Sequence, residues 1–430
     1  MEKSQNTYHS TIQYLFDLQY SGIKMGLENV TRLLEVSGNP QLKFPAVHLA
    51  GTNGKGSTAV FIYSVLKEHG LRVGLYTSPH LIDFSERIRV NDQLISWETI
   101  VKYTQELKPL IEEVNATFFE ATSAIAFRYF ADREVDIAVV ETGLGGRLDA
   151  TNLVQPLLSV ITPISPDHQQ FLGEDIRSIA AEKAGIIKAG IPCVTNNTDA
   201  GILEVLSRRC HEVGAPFYRL DPKTEIETEK ANIHGSCFHL KFKGELLRDL
   251  KIGLPGNHQI ENAALAAAAV KILPRFKIGE QNLRMGLKRA FWPGRLQIIN
   301  ERPLTILDVA HNIHGFQTVF RFLNTLFPSV KFHILIGLAK DKDYRQIVDV
   351  IKGYTDIVGI IKNFSEKELP AGVLEQAFNE ADILPTVFDG IAEGFQQFNK
   401  IAGANDIILI IGSHYLAGSF LQKYKNVDYK

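Results

Sequence analysis

The chain has 430 residues, with 46 Lys and Arg against 48 Asp and Glu, a formal net charge of −2, and 45% hydrophobic residues. This balance excludes an intrinsically disordered chain and gives no support for nucleic acid or an anionic membrane as partner. The length exceeds what one hydrophobic core usually supports, so about two or three domains are expected.

The N-terminus lacks the basic flank, apolar stretch and small-residue site of a signal peptide. Residues 10–36 read as helical, with Leu15, Leu18, Leu33 and Leu34 at helical spacing around a break at Gly22. A short buried strand at 45–50 runs into the Gly-rich segment 51–58, and a helix at 59–69 closes on Gly70. Further apolar strands are expected at 72–76, 136–140 and 159–161. Strands separated by helices predict an α/β fold with a mostly parallel sheet covered on both faces. At 237–242 the alternation of apolar and polar residues predicts a small antiparallel excursion. Helices follow at 257–273 and 281–289, and then a fresh series of strands at 304–307, 332–336, 356–361 and 406–411. The domain boundary is placed between Pro293 and Gly294, giving a first domain of 1–293 and a smaller Rossmann-like domain of 294–430. The longest apolar runs, 263–270 and 407–411, fall far below the ~20 residues that span a bilayer. Cys193, Cys210 and Cys237 are too few and too scattered for a disulfide framework, as expected of a cytoplasmic protein.

The strongest chemical signal is Gly51-Thr52-Asn53-Gly54-Lys55-Gly56-Ser57-Thr58. Between a strand and a helix, its glycines let backbone N–H groups face phosphate oxygens, and the helix N-terminus adds partial positive charge. Lys55 would reach the terminal phosphates, and a hydroxyl after it would ligate magnesium. Leu49 stands where the standard pattern has its first glycine, and Gly56 intervenes before Ser57. Kinases, hydrolases, motors and ligases share such a loop, so it does not set the reaction.

Glu141 ends the apolar run 138–140, where a magnesium ligand belongs in such a sheet; an exposed Glu opening a Gly-rich loop is the plain alternative. His168 falls after strand 159–161, again at a carboxyl end. Lys183 lies on a helix of apolar and small neighbours, where a lysine ordinarily snorkels to water.

Together these stretches resemble the folylpolyglutamate synthase family, often bifunctional with dihydrofolate synthase, within the Mur ligase superfamily. The resemblance is carried by residues 22–30, 48–57, 77–81, 85–88, 118–120, 141–152 and 182–186, and by 293–295, 307–312 and 412–418. It implies an ATP-dependent ligase that couples L-glutamate to a folate carboxylate, with two magnesium ions. Lys55 then binds the nucleotide phosphates, and Ser57, Glu141 and His168 correspond to metal ligands. Lys183 corresponds to a carbamylated lysine that supports the second metal. Asn262 corresponds to an adenine contact, Arg295 to a phosphate contact, Asp308 to a ribose contact, and His311 to the phosphate and glutamate end. Met25, Thr117, Phe119, Asp149 and Ala150 fall where the family builds its pterin pocket, and of these Thr117, Phe119 and Asp149 lean towards dihydropteroate as a second acceptor. The sequence departs from the family at Thr142, along the run 163–168, at Ile313 and at His414.

A monomer acting on small molecules is expected. The alternatives are a Mur-type ligase acting on another carboxylate such as a cell-wall precursor, a nucleotide-hydrolysing switch or kinase, and a non-enzymatic nucleotide scaffold.

Overall fold

The computed structural model describes residues 2–18, 26–166, 169–173, 175–330 and 332–424. The predicted break at Gly22 lies outside the described residues, between helices Glu2–Asp17 and Glu28–Val36.

Eight strands build the first sheet: β1 (Ala46–Ala50), β2 (Val73–Tyr76), β3 (Ile88–Val90), β4 (Gln93–Leu94), β5 (Ile137–Glu141), β6 (Pro156–Ile161), β7 (Cys193–Thr195) and β8 (Phe217–Arg219). Their order is β4-β3-β2-β5-β1-β6-β7-β8, antiparallel between β2, β3 and β4 and parallel elsewhere. Every residue of β1 is buried, as expected for a central parallel strand with helices on both faces. On one side pack Phe44, Phe118, Phe127 and Phe130, all 2% exposed or less; on the other pack Ile161, Ile179, Ile186 and Leu206. Each such side chain contributes roughly 1.5–3 kcal/mol by leaving water.

Next come β9 (Ile226–Asn232), β10 (Gly235–Phe242) and β11 (Glu245–Ile252), a small sheet of antiparallel hairpins. The last sheet holds β12 (Gln297–Glu301), β13 (Leu304–Leu307), β14 (Phe332–Ile336), β15 (Ile357–Ile361), β16 (Thr386–Phe388) and β17 (Ile407–Ile411). Its order is β12-β13-β17-β14-β15-β16, with only β12 antiparallel. Phe316, Phe320, Phe332, Ile334 and Leu409 fill its core.

The chain divides into two compact units. One takes residues 1–227, 238–251 and 260–290; the other takes 228–237, 252–259 and 291–430. Among the described residues no helix is long and apolar enough to cross a membrane. None of Cys193, Cys210 and Cys237 is joined in a disulfide.

The helix expected from residue 59 begins at Lys55. Gly54, at φ +82, serves as its N-cap, so the helix starts inside the glycine run rather than after it. The short strands β3, β4, β7, β8, β12 and β16 have two to five residues each, too few to show a clear period.

Candidate active site

The site of the first unit lies along the carboxyl ends of β5, β1 and β6. Register places Leu49 beside Glu141 and Ala50 beside Ile161, so the loops leaving these strands begin side by side. The loop after β1 is stitched to the loop after β6. The N–H groups of Thr52 and Asn53 donate to the Pro163 carbonyl at 2.9 and 3.2 Å. The Thr52 hydroxyl donates to Ser165 O at 3.0 Å and accepts from Ser165 N at 3.1 Å. Asn53 Nδ2 donates to Ser165 Oγ at 3.1 Å.

Gly54 is required twice over. Its φ is one that side chains rarely adopt, and an added Cβ would run into Oδ1 of Asn262. Asn262 is buried on the Asn257–Ile272 helix, so the sequence-predicted adenine contact borders the phosphate loop. The first turn of the Lys55–Glu68 helix carries N–H groups with no carbonyl four residues back, so it can cradle an anion. Gly56 lies in that turn with Ser57 and Thr58, both buried.

Lys55 Nζ folds back to donate to Gly51 O at 3.1 Å and Thr52 O at 3.3 Å. Lys183, 4% exposed, does not snorkel: its Nζ donates to the same Gly51 carbonyl at 2.8 Å. Two ammonium groups thus converge on one oxygen. Converting Lys183 to an anionic carbamate would replace that repulsion by attraction, so the local charge fits the modification. Lys183 is held there by close packing: Arg147 N donates to Glu182 O at 2.7 Å, and a Cβ on Gly146 would strike the Lys183 backbone.

Glu141 is buried, not exposed, and accepts from Ser78 N at 3.1 Å through Oε2. Buried Ser57 and Glu141 offer hard oxygen donors at one loop cluster, which suits magnesium. His168 and Met25 lie outside the described residues.

The described residues expected at the pterin pocket lie on the same unit. Thr117 caps the Phe118–Asp132 helix in a reciprocal capping box with Glu120. Phe119 is 38% exposed, a high value for so large an apolar ring, and a Cβ on Gly143 would meet it at 2.8 Å. Asp149 is buried; its Oδ2 accepts from Leu144 N at 2.8 Å, and its Oδ1 accepts from Thr151 N at 3.0 Å. Burial pushes the Asp149 carboxyl up, opposed by hydrogen bonds from Thr151, Leu144 and Gly143. Ala150 follows, also buried.

In the second unit, Asp308 follows β13. Its oxygens accept from Leu296 N at 2.8 Å and Ala310 N at 2.7 Å. Burial pushes this carboxyl up, while Arg295 and those N–H groups pull it down. Asp308 therefore shapes the turn holding Leu296, which sits at φ +45. Arg295 borders a cavity of about 460 Å³ lined also by Phe291, Trp292 and Pro255. His311 Nδ1 donates to Val309 O at 3.0 Å, so its Nε2 points the other way. His414, at the carboxyl end of the neighbouring β17, places its ring 5.0 Å from that of His311. Its departure from the family pattern was the one sequence signal for this pairing. The sequence reading also passed over His48, a fully buried imidazole within β1, and Ser78, whose N–H holds Glu141. The signs of His48 were a polar residue inside an apolar run and its place at the head of the stretch 48–57 that carries the resemblance.

Comparison with known proteins places these features in context. Residues 49–270 match the Mur ligase middle domain, and residues 294–414 match the Mur ligase glutamate ligase domain. The chain is 37% identical over 416 residues to the dihydrofolate synthase/folylpolyglutamate synthase of Bacillus subtilis, covering 94% of this chain and 96% of that protein. Its fold is similar to that of the Mycobacterium tuberculosis folylpolyglutamate synthase complexed with ADP, at TM-score 0.89 and 29% identity over 98% of this chain and 99% of that one. Escherichia coli FolC in complex with DHPP and ADP is similar at TM-score 0.86 and 28% identity, covering 97% and 98%.

Proposed function

The chain belongs to the dihydrofolate synthase/folylpolyglutamate synthase family of Mur ligases, and from that premise we propose how its residues divide the work. It is an ATP-dependent ligase that joins L-glutamate to folates. The observation that carries the assignment of roles is the convergence of Lys55, Lys183 and Glu141 on the loop edge at Gly51 and Leu49.

A carboxylate acylates poorly, because oxide would have to leave. Transfer of the γ-phosphoryl group of ATP to the folate carboxylate makes phosphate the leaving group. The amine of glutamate then attacks the acyl carbon, forming the amide and releasing phosphate beside ADP. Lys55 exchanges its two backbone carbonyls for phosphate oxygens, and the helix N-terminus at Gly54–Thr58 binds the same anion. Ser57, Glu141, His168 and carbamylated Lys183 would hold magnesium, which supplies positive charge against the γ-phosphoryl group when bound.

Asn262 would touch the adenine, Arg295 the phosphates, Asp308 the ribose and His311 the phosphate and glutamate end. Thr117, Phe119, Asp149 and Ala150, with Met25, would hold the pterin. Residues 1–293 would serve nucleotide and folate, and residues 294–430 glutamate and nucleotide. The enzyme would work as a cytoplasmic monomer, accepting both dihydropteroate and a reduced folate.

Phosphate release from ATP tests this reading. Glutamate with dihydropteroate and glutamate with tetrahydrofolate should both drive release, and glutamate alone should leave it at background. Release that ignores the folate would sink the assignment.

A further inference from the structure

We propose that His48 is a positioning residue for the folate substrate, acting through the Thr151 hydroxyl to hold the Asp149 carboxylate beside Phe119. The proposal rests on the reading of Asp149 and Phe119 as pocket wall.

β1 is otherwise Ala46, Val47, Leu49 and Ala50, and His48 within it is 0% exposed. An imidazole in an apolar core costs free energy unless its nitrogens are bonded. One nitrogen is: Nε2 lies 2.8 Å from Thr151 Oγ1, across 103 residues of sequence. The direction of that bond follows from the next one. Thr151 Oγ1 also bonds to Asp149 Oδ1. Asp149 accepts backbone N–H groups of Leu144 and Thr151, so it acts as acceptor and the single hydroxyl proton of Thr151 goes to it. Thr151 Oγ1 must then accept from His48, which fixes the proton of His48 on Nε2. Nδ1 carries the lone pair and has no partner among the described residues.

Burial, with Lys188 adding to it, pulls the imidazole down to about 3, so His48 stays neutral and keeps donating. The chain of bonds runs one way, from His48 Nε2–H to Thr151 Oγ1–H to Asp149. Asp149 passes the constraint on by accepting from Leu144 N, next to the Gly143 that underlies the Phe119 ring. A core strand thereby sets the floor of the exposed aromatic surface. A stabilising residue alone would not need this polarity, since an apolar side chain would fill the space without burying an unpartnered nitrogen.

Steady-state kinetics of the intact enzyme tests the inference. Thr151→Val and His48→Leu break the chain; Thr151→Ser and His48→Gln keep a hydroxyl and a donor. Each breaking variant should raise KM for dihydropteroate about tenfold, the scale of one buried hydrogen bond, with KM for ATP unchanged. The double variant should be no worse than either single one. The conservative variants should stay within about twofold of the parent, since they retain the bonding. Nitrogen NMR of the imidazole should show a neutral ring protonated on Nε2. Should His48→Leu fail to fold, Thr151→Val carries the test. Asp149→Asn separates the layers. If it leaves KM for dihydropteroate unchanged, the wall reading falls and takes this inference with it. If it raises that KM while Thr151→Val does not, the role of His48 alone is overturned. Equal rises in both KM values for Thr151→Val would also overturn it.

Discussion

The carboxyl edges of the two main sheets carry site residues in contrasting ways. At the first, the bonds that place them cross between loops far apart in sequence: Thr52 to Ser165, Lys183 to Gly51, Glu141 to Ser78. At the second, the bonds are local: Asp308 to Leu296 and Ala310, His311 to Val309, Asn312 to Gly315. The first edge is assembled by topology, and its polar groups are held by bonds between distant loops. The second is assembled by turn chemistry, and its carboxylate is committed to shaping the backbone. Substitutions at the first edge should therefore cost activity more than fold, and those at Asp308 should cost both.

The largest effect is expected at Lys55. Lys55→Ala should lower kcat by on the order of 10²–10³-fold, the scale of one preorganised donor, and leave thermal unfolding near the parent. A loss of Tm comparable to the loss of activity would erase the contrast between the edges. Lys183→Ala should also lose most activity, and a short carboxylate added in solution should restore part of it if the carbamate reading holds. Glu141→Ala should shift the magnesium concentration needed for phosphate release upwards, a change read by titrating the metal back after chelation.

Asp308→Ala should sharpen the comparison from the other side. It orphans the buried N–H of Leu296, at about 1–3 kcal/mol, and the half-buried N–H of Ala310, so denaturant unfolding should report a loss that Lys55→Ala does not.

The smallest effect concerns acid stability. Folded His48 takes its proton only near 3, against an ordinary value of 6.5. Between those values the unfolded chain binds the extra proton, so stability is full above 6.5 and falls as pH drops towards 3. His48→Gln should flatten that fall by up to about 1.4 kcal/mol per pH unit, measured by urea unfolding from pH 7 to pH 4. An unchanged slope would mean that His48 is not buried neutral.

The strands flanking the phosphate loop were legible because each is an apolar run closed by turn residues, and 304–307 and 332–336 were read to the residue. The loop was legible because glycines and a lysine have few other reasons to stand together. Lys183 was not legible from its own helix. Its burial depends on Gly146 and Arg147 packing against the helix end, a contact between segments some 35 residues apart. His48 was still less so, since its role needs β1 in register with a strand whose preceding turn brings Thr151 alongside. The helix Phe118–Asp132 lacked an apolar stripe because most of its circumference is buried, so no helical period marks it.

The most direct measurement is to count products in a single reaction with dihydropteroate, glutamate and ATP, using mass spectrometry for the glutamyl product and coupled detection for ADP. One amide bond formed per ADP is predicted, with both lowered together by on the order of 10²–10³-fold in Lys55→Ala. ADP formed without the amide product would contradict the assignment of this chain's residues to glutamate ligation.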